Sequence, residues 1–138
     1  MNRSDFQKLT ELRVREAKTL LENNCFEGAY YLLGYAVECA LKACIAKQTK
    51  RYDFPDKDFV NNIYTHDVTK LLQSSGLGQL HRQEIKNDAT FELNWAIVKD
   101  WNEKKRYSIG VTEKEVKDFH SAVLTRTNGV LAWLRKQW

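Results

Sequence analysis

The sequence predicts an all-α protein, an antiparallel up-down helical bundle of four main helices plus a short fifth helix. Turn-forming residues are scarce, since the 138 residues include one proline and six glycines, whereas sandwiches and barrels of short strands need many turns. Apolar residues recur instead at the spacing of amphipathic helices. With 43% hydrophobic and 29% charged residues, the chain can bury one core and still solvate its surface. We therefore expect a single domain over residues 1–138.

The first predicted helix covers residues 5–22 and ends at Asn23-Asn24. Ser4 and Gln7 have the spacing of a capping box at its start. Six apolar side chains then recur at helical spacing, namely Phe6, Leu9, Leu12, Ala17, Leu20 and Leu21.

The second predicted helix covers residues 25–47 and is the expected centre of the fold. Asn24 and Glu27 have the spacing to cap its start. The helix is apolar on more than one face, and such a helix needs cover on every side. A second copy of the chain would supply that cover, so the sequence predicts a homodimer.

The remaining segments are shorter. Residues 49–64 lack helical spacing and predict a connecting loop with a single helical turn, after which Thr65-His66-Asp67 begins a short helix. Residues 78–104 show helical spacing with a bend near Asn87-Asp88, and residues 106–110 form a turn. Thr112 begins the last long helix, with Glu115 at capping-box spacing.

Composition also bears on location and partners. The formal charge of +4 comes from 22 basic and 18 acidic residues, a modest field that permits a nucleotide, RNA or acidic-protein partner without requiring one. The three cysteines are odd in number and lack metal-site spacing, which favours reduced thiols in the cytoplasm. The longest apolar run, residues 28–37, is too short to span a bilayer. We expect a cytoplasmic protein with no membrane segment.

Familiar catalytic motifs are not present in the sequence. It has neither the glycine-rich loops that bind phosphates nor a His-Glu-x-x-His motif. His66, His81 and His120 lie far apart, and no cysteine–histidine cluster adjoins them. We therefore predict no metal and no cofactor, although distant residues can assemble a site in space.

Five polar residues are the candidate binding residues. Glu38 and Lys42 lie four apart in the most apolar helix, which is the favourable order for an ion pair. The pair is either structural or the wall of a polar pocket. Arg106 precedes Tyr107 at a turn, and a guanidinium beside an aromatic ring suits phosphate and base binding. His66, at a helix start, is either a local capping residue or a donor or acid toward a ligand.

Three segments together resemble one family of small helical bundles. The order and spacing of these segments are similar to those of the HEPN domain, the higher-eukaryote and prokaryote nucleotide-binding family, over residues 5–137. The segments are Tyr35-Ala36-Val37-Glu38-Cys39-Ala40-Leu41-Lys42-Ala43, Tyr64-Thr65-His66-Asp67-Val68 with Leu71-Leu72, and Arg106-Tyr107-Ser108.

The resemblance implies a five-helix bundle, dimerisation, and a groove between protomers that binds nucleotide or RNA. Many members of the family are metal-independent ribonucleases in which a histidine follows an arginine a few residues later. No arginine of this chain is followed by a histidine at that spacing. Other members are partnered by a minimal nucleotidyltransferase and form one half of a toxin–antitoxin pair, which implies such an enzyme as a partner here.

Three hypotheses follow from the sequence. The first is a dimeric HEPN-like bundle that binds a nucleotide or RNA phosphate through Arg106, Tyr107, Lys42 and His66, with Glu38 orienting the cations. The second is a metal-independent ribonuclease in which Arg106 stabilises the developing charge and His66 is the general acid or base. The third is a protein-interaction module whose polar residues are structural.

Overall fold

The computed structural model describes residues 1–49 and 54–138, and in this part of the chain every regular element is a helix. The protein is therefore all-α, as predicted. In chain order the helices are α1 (Arg3–Glu22), α2 (Phe26–Gln48), α3 (Lys57–Ile63), α4 (Val68–Ser74), α5 (Gly78–Asn87), α6 (Ala89–Val98), a 3₁₀ helix (Glu103–Tyr107), α7 (Glu113–Leu124) and α8 (Val130–Gln137).

The start of α1 differs from the prediction. Asn2 caps the helix, because its side chain accepts a hydrogen bond from the backbone N–H of Asp5 at 3.0 Å, and the Asp5 carboxylate accepts one from the backbone N–H of Asn2 at 3.0 Å. The prediction of a capping box at Ser4 and Gln7 was therefore wrong. This reciprocal pair lies two residues earlier than the predicted one. The helix accordingly begins at Arg3 instead of residue 5.

The start of α2 also differs from the prediction. Asn24 has a φ of 60°, a left-handed conformation that asparagine tolerates better than most residues, and it reverses the chain between α1 and α2. Cys25 is the residue that precedes the helix, and no side chain caps it. Asn24 thus serves the turn and not the cap that was predicted.

Helix α2 lies at the centre of the fold, packed against α1, α4, α7, α8 and the 3₁₀ helix. It is long and apolar enough to cross a membrane, yet 67% of its most apolar window is buried inside the protein. None of its apolar side chains is exposed. The reason given for a homodimer was therefore wrong, because a single chain covers this helix without a second copy.

The predicted stretch 78–104 is divided into α5 and α6 at the bend predicted near Asn87-Asp88, the predicted last helix is divided where no break was predicted, and one predicted loop contains a helix. The chain breaks at Asp88, whose carboxylate accepts a hydrogen bond from the backbone N–H of Phe91 at 3.0 Å and caps α6. The predicted last helix is interrupted before Gly129, where a Cβ would overlap the backbone of Thr125. Within the predicted loop 49–64, Asp56 caps α3, which has seven residues instead of a single turn.

A tryptophan fixes the 3₁₀ helix against α2. The indole of Trp101 is 1% exposed and lies against Gly34, where any Cβ would overlap the ring. The Tyr31 ring adds an aromatic contact at a centroid distance of 5.9 Å. The segment that leads into the 3₁₀ helix therefore depends on the absence of a side chain at Gly34.

A second aromatic cluster surrounds His81, which is 5% exposed. The rings of Phe91, Trp95 and Trp133 meet its imidazole edge-on, with centroid distances of 5.7, 4.6 and 5.6 Å. Within the described residues, Nε2 of His81 has no hydrogen-bond partner. Burial lowers the pKa of His81, and the nearby charge of Arg82 lowers it further.

Candidate functional site

A groove lies between the N-terminal half of α1, the C-terminal half of α2, and the end of α3. Its volume is about 640 Å³, within the range of about 300–1,000 Å³ that is typical of ligand sites. The hairpin of α1 and α2 creates it, since residues near the start of α1 face residues near the end of α2. Its walls are formed by Met1, Asn2, Arg3, Phe6, Leu9, Tyr35, Glu38, Cys39, Lys42, Ile45, Ala46, Thr49, Ile63 and Tyr64.

Glu38 is a buried carboxylate in the wall of this groove. Its side chain is 2% exposed, and it accepts a hydrogen bond from Nζ of Lys42 at 2.8 Å. Nδ1 of His66 lies 3.0 Å from each of its two carboxylate oxygens. A buried carboxylate is costly unless it is paired and hydrogen-bonded, and these two partners supply both requirements.

The partners of Glu38 come from different parts of the chain. Lys42 follows one helical turn later on α2, so the predicted i,i+4 ion pair is present. His66 lies in the segment between α3 and α4. That segment is held in place because the Thr65 hydroxyl accepts a hydrogen bond from the N–H of Asp67 at 3.1 Å, and Asp67 caps α4 through the N–H groups of Thr69 and Lys70.

The Glu38 carboxylate determines which nitrogen of His66 donates a hydrogen bond to it. An ionised carboxylate only accepts hydrogen bonds, so Nδ1 is the donor toward Glu38. Nε2 is then the nitrogen left for another partner, and the His66 side chain is 50% exposed. Lys42 is less open, with a side chain 19% exposed. The cluster therefore holds one imidazole and one ammonium group, both on partly exposed side chains, against the buried Glu38 carboxylate.

The charge of the groove favours an anion. Arg3 also lines it, and its guanidinium donates a hydrogen bond to the backbone carbonyl of Trp138 at 2.7 Å. Among the described lining residues, Glu38 is the single acidic one, against the two cations Arg3 and Lys42. A bound anion would thus meet a net positive charge close to an apolar floor, where electrostatic interactions are stronger than in bulk water.

Two further polar groups of the groove are neutral. Burial, with the charge of Glu38 as a smaller cause, raises the pKa of the Cys39 thiol to about 12. Burial also raises the pKa of the Tyr35 hydroxyl, whose ring lies 5.7 Å from the guanidinium carbon of Arg13. A protonated thiol is a poor nucleophile, so Cys39 contributes packing to the groove and not reactivity.

Arg106 and Tyr107 lie on the 3₁₀ helix, apart from this cluster. Both are exposed, and the Arg106 guanidinium lies 4.8 Å from the centre of the Tyr107 ring. The 3₁₀ helix packs beside the N-terminal half of α2. There the Lys105 ammonium lies 5.7 Å from the centre of the Tyr30 ring. Tyr30 precedes Glu38 by about 12 Å along the helix axis.

The structure thus assembles three of the five predicted site residues. Glu38, Lys42 and His66 form one hydrogen-bonded cluster. In residues 1–49 and 54–138, no hydrogen bond or ion pair joins Arg106 to that cluster, and neither Arg106 nor Tyr107 lines the groove.

Two residues of the groove, Arg3 and Tyr64, were not predicted as site residues. Tyr64 is within a segment that carries the family resemblance, next to Thr65 and His66, but its ring had no assigned role. Arg3 lies near the chain start, and only the pairing of α1 with α2 shows that it faces the same groove as Lys42. Both residues reach the site through tertiary packing.

The described residues contain no group of three His, Cys, Asp or Glu side chains arranged to hold a metal ion.

Comparisons with known proteins found no relative of this chain. No family model matches the chain, and neither a curated protein nor a solved structure is significantly similar to it.

Proposed function

We propose that this protein is a cytoplasmic HEPN-like helical bundle, with its four main helices in up-down order, that binds a nucleotide or RNA phosphate. The observation that supports the proposal is the cluster in which Lys42 and His66 bind the buried Glu38 carboxylate, with Glu38 and Lys42 in the wall of a groove with net positive charge. A buried carboxylate that fixes a lysine in the groove wall and a half-exposed histidine beside it suits the binding of an anion.

Each residue of the cluster has a distinct role in this proposal. The Lys42 ammonium donates to the phosphate, Nε2 of His66 donates to it when both ring nitrogens carry a proton, and Glu38 is a positioning residue that fixes both side chains. Arg106 and Tyr107 form a second contact, on the 3₁₀ helix, for the remainder of a longer ligand such as an RNA strand. An exposed guanidinium stacked on a ring is suited to that task.

The biological setting of the proposal comes from the family resemblance. It implies one component of a prokaryotic toxin–antitoxin system, or of a system partnered by a minimal nucleotidyltransferase. The segments that carry this part of the proposal are Tyr35–Ala43, Tyr64–Val68 and Arg106–Ser108.

The homodimer is also part of the proposal, on a surface other than α2. Helix α6 exposes Leu93 and Ile97, which are 67% and 42% exposed, on the face opposite its buried side. If two copies of α6 pack antiparallel about a twofold axis near the helix centre, each Leu93 faces an Ile97, and each Glu92 faces a Lys99 of opposite charge. Leu93→Glu should then convert a dimer to a monomer in sedimentation equilibrium, and a monomeric wild type would contradict it.

Calorimetric titration tests the phosphate site. AMP and a short single-stranded RNA are titrated into wild type, His66→Ala and the control Arg126→Ala, which removes an exposed cation between α7 and α8. Loss of a charge-assisted hydrogen bond costs about 1.5–3 kcal/mol, so His66→Ala should weaken binding by roughly ten- to a hundredfold. Absence of binding to wild type, or equal binding by His66→Ala, would contradict the proposal and favour the interaction module.

One observation favours a second function, a metal-independent ribonuclease. A histidine with one nitrogen on a buried carboxylate and the other nitrogen free is oriented as a general acid or base. Without the family's arginine-to-histidine spacing, we expect purified wild type not to cleave single-stranded RNA above background. Cleavage that disappears in His66→Ala and persists in Arg126→Ala would support the ribonuclease instead.

A further inference from the structure

An exposed aromatic side chain at the edge of the groove has no structural task in the core. Tyr64 is 82% exposed and lines the groove beside Ile63. Most exposed aromatic rings are single surface residues with no partner to explain. Tyr64 differs from them because it shares one groove with Lys42 and the Glu38 carboxylate.

The position of Tyr64 relative to His66 is restricted. The backbone N–H of Tyr64 donates a hydrogen bond to the carbonyl of Val60 at 3.2 Å, which ties it to the end of α3. His66, two residues later, is tied to α2 by Glu38. Two residues of extended chain span at most about 7 Å. Tyr64 and His66 are therefore close together on one segment, which is tied to α3 at Tyr64 and to α2 at His66.

The rest of the groove indicates the chemistry of a ligand that would use both features. Phe6, Leu9 and Ile45 give it an apolar floor, whereas Lys42 and Arg3 supply the cations. Inorganic phosphate or a sugar phosphate would engage only the cations. A ligand with an anionic group joined to a planar, weakly polar ring would engage the cations, the apolar floor and the Tyr64 ring together, and a nucleotide has this composition.

We propose that Tyr64 stacks on the base of a nucleotide whose phosphate is bound by Lys42 and His66, and that it makes the groove selective for nucleotides over sugar phosphates. This inference rests on the proposed phosphate site and adds to it the residue that binds the base. A stacked base is bound through its π-face, so the selectivity concerns the presence of a base more than its identity.

Calorimetric titrations of three probes test the inference, namely AMP, ribose 5-phosphate and inorganic phosphate. Wild type should bind AMP roughly ten- to a hundredfold more tightly than ribose 5-phosphate, the usual size of one base–aromatic stack. Tyr64→Ala should abolish that difference and leave the affinity for ribose 5-phosphate unchanged, whereas Tyr64→Phe should preserve it. The control Phe54→Ala removes an aromatic ring that is 99% exposed and does not line the groove, and it should bind as wild type does.

The outcomes separate the inference from the proposal on which it rests. Equal affinities of wild type for AMP and ribose 5-phosphate, or tight AMP binding by Tyr64→Ala, would overturn the stacking role and leave the phosphate site standing. Failure of wild type to bind any of the three probes would overturn both. A short single-stranded RNA included as a fourth probe distinguishes a free nucleotide from a strand, and in either case Tyr64→Ala must weaken binding.

Discussion

The Glu38 cluster and the Arg106–Tyr107 pair each contain a basic side chain but differ in how the protein holds it. Glu38 is buried, and each of its partners is bonded to it from a different direction. Arg106 and Tyr107 are exposed, and Arg106 contacts the ring of its own neighbour in the chain. The first region therefore has a geometry set by tertiary structure, whereas the second has one set by local sequence.

The difference shows what burial adds to a binding group. A buried carboxylate must be paired, so folding fixes its partners in one arrangement. The conformational entropy of these side chains is then lost on folding and not on ligand binding. An exposed guanidinium is hydrated and gains little from any single neighbour. Changes in the first region should therefore affect both stability and binding, and changes in the second should affect binding alone.

The largest effect is expected for Lys42→Met. This substitution leaves the Glu38 carboxylate buried with His66 as its remaining described partner, and breaking a buried ion pair costs about 3 kcal/mol or more. The control Lys86→Met, in the exposed last turn of α5, should change stability by less than about 0.5 kcal/mol. Urea unfolding measures both. A Lys42→Met variant as stable as the control would mean that the carboxylate is solvated.

The second effect concerns Arg106→Ala. If a ligand phosphate reaches the 3₁₀ helix, loss of the guanidinium should cost about 1.5–3 kcal/mol of binding free energy, and Arg106→Lys should recover part of it. Because Arg106 is exposed, the free energy of unfolding should change by less than about 0.5 kcal/mol. Calorimetric titration with single-stranded RNA measures the change in binding, and thermal melts of the same variants measure the change in stability. Unchanged binding with a lowered melting temperature would instead make Arg106 a structural residue.

The third effect concerns the support of the 3₁₀ helix. Gly34→Ala would drive a methyl group into the buried Trp101 indole, and overpacking of this kind typically costs about 1–3 kcal/mol. Gly28→Ala is the matched control on the same helix, since its Cβ would meet only the flexible end of Leu20 at 3.1 Å. Denaturant unfolding compares them. Equal stability of the two variants would show that Trp101 is free to move.

The smallest effect is a loss of stability in mild acid. Burial lowers the pKa of His81 and of His120 below the ordinary value of 6.5, and the charges of Arg82 and Lys18 contribute. Below pH 6.5 the unfolded chain therefore binds more protons than the folded chain. The free energy of unfolding is therefore unaffected by these two histidines above that pH, and it decreases as the pH falls below it toward the folded-state pKa values.

Replacement of His81 tests this pH dependence. His81→Phe removes the buried one of these two imidazoles and places a ring among the surrounding aromatic rings, so its free energy of unfolding should decrease less between about pH 7.5 and pH 5.5 than that of wild type. Urea unfolding at both values measures the difference. An identical decrease in the variant would assign the pH dependence to other groups.

Local signals predicted much of the fold. Helical spacing located α1 and α2, and Asp67 marked the start of α4, because these features depend on neighbours a few residues apart. The break before Gly129 was not predicted, since it depends on a tight turn against Thr125. The apolar faces of α2 indicated a second copy of the chain, but helices from later in the sequence cover them. Periodicity shows that a face needs cover and does not show what supplies it.

The candidate site divides in the same way. The pair of Glu38 and Lys42 was predicted because helical spacing brings them together. The contact between His66 and Glu38 joins residues 28 positions apart, and the groove joins α1 to α2, so both depend on packing that no local pattern encodes. The same applies to Arg3 and Tyr64. Helix geometry thus predicted the charged pair, and tertiary structure added the groove around it.

Mapping AMP binding by NMR tests the central claim most directly. In ¹H–¹⁵N spectra of the wild-type protein titrated with AMP, the largest backbone shifts should fall in residues 38–42 and 64–67, and residues 103–107 should shift little, because their contact is proposed for a longer ligand. His66→Ala should remove the shifts in both segments of the groove. Shifts confined to residues 103–107, or shifts around Glu38 that persist unchanged in His66→Ala, would contradict the assignment of the phosphate site to this cluster.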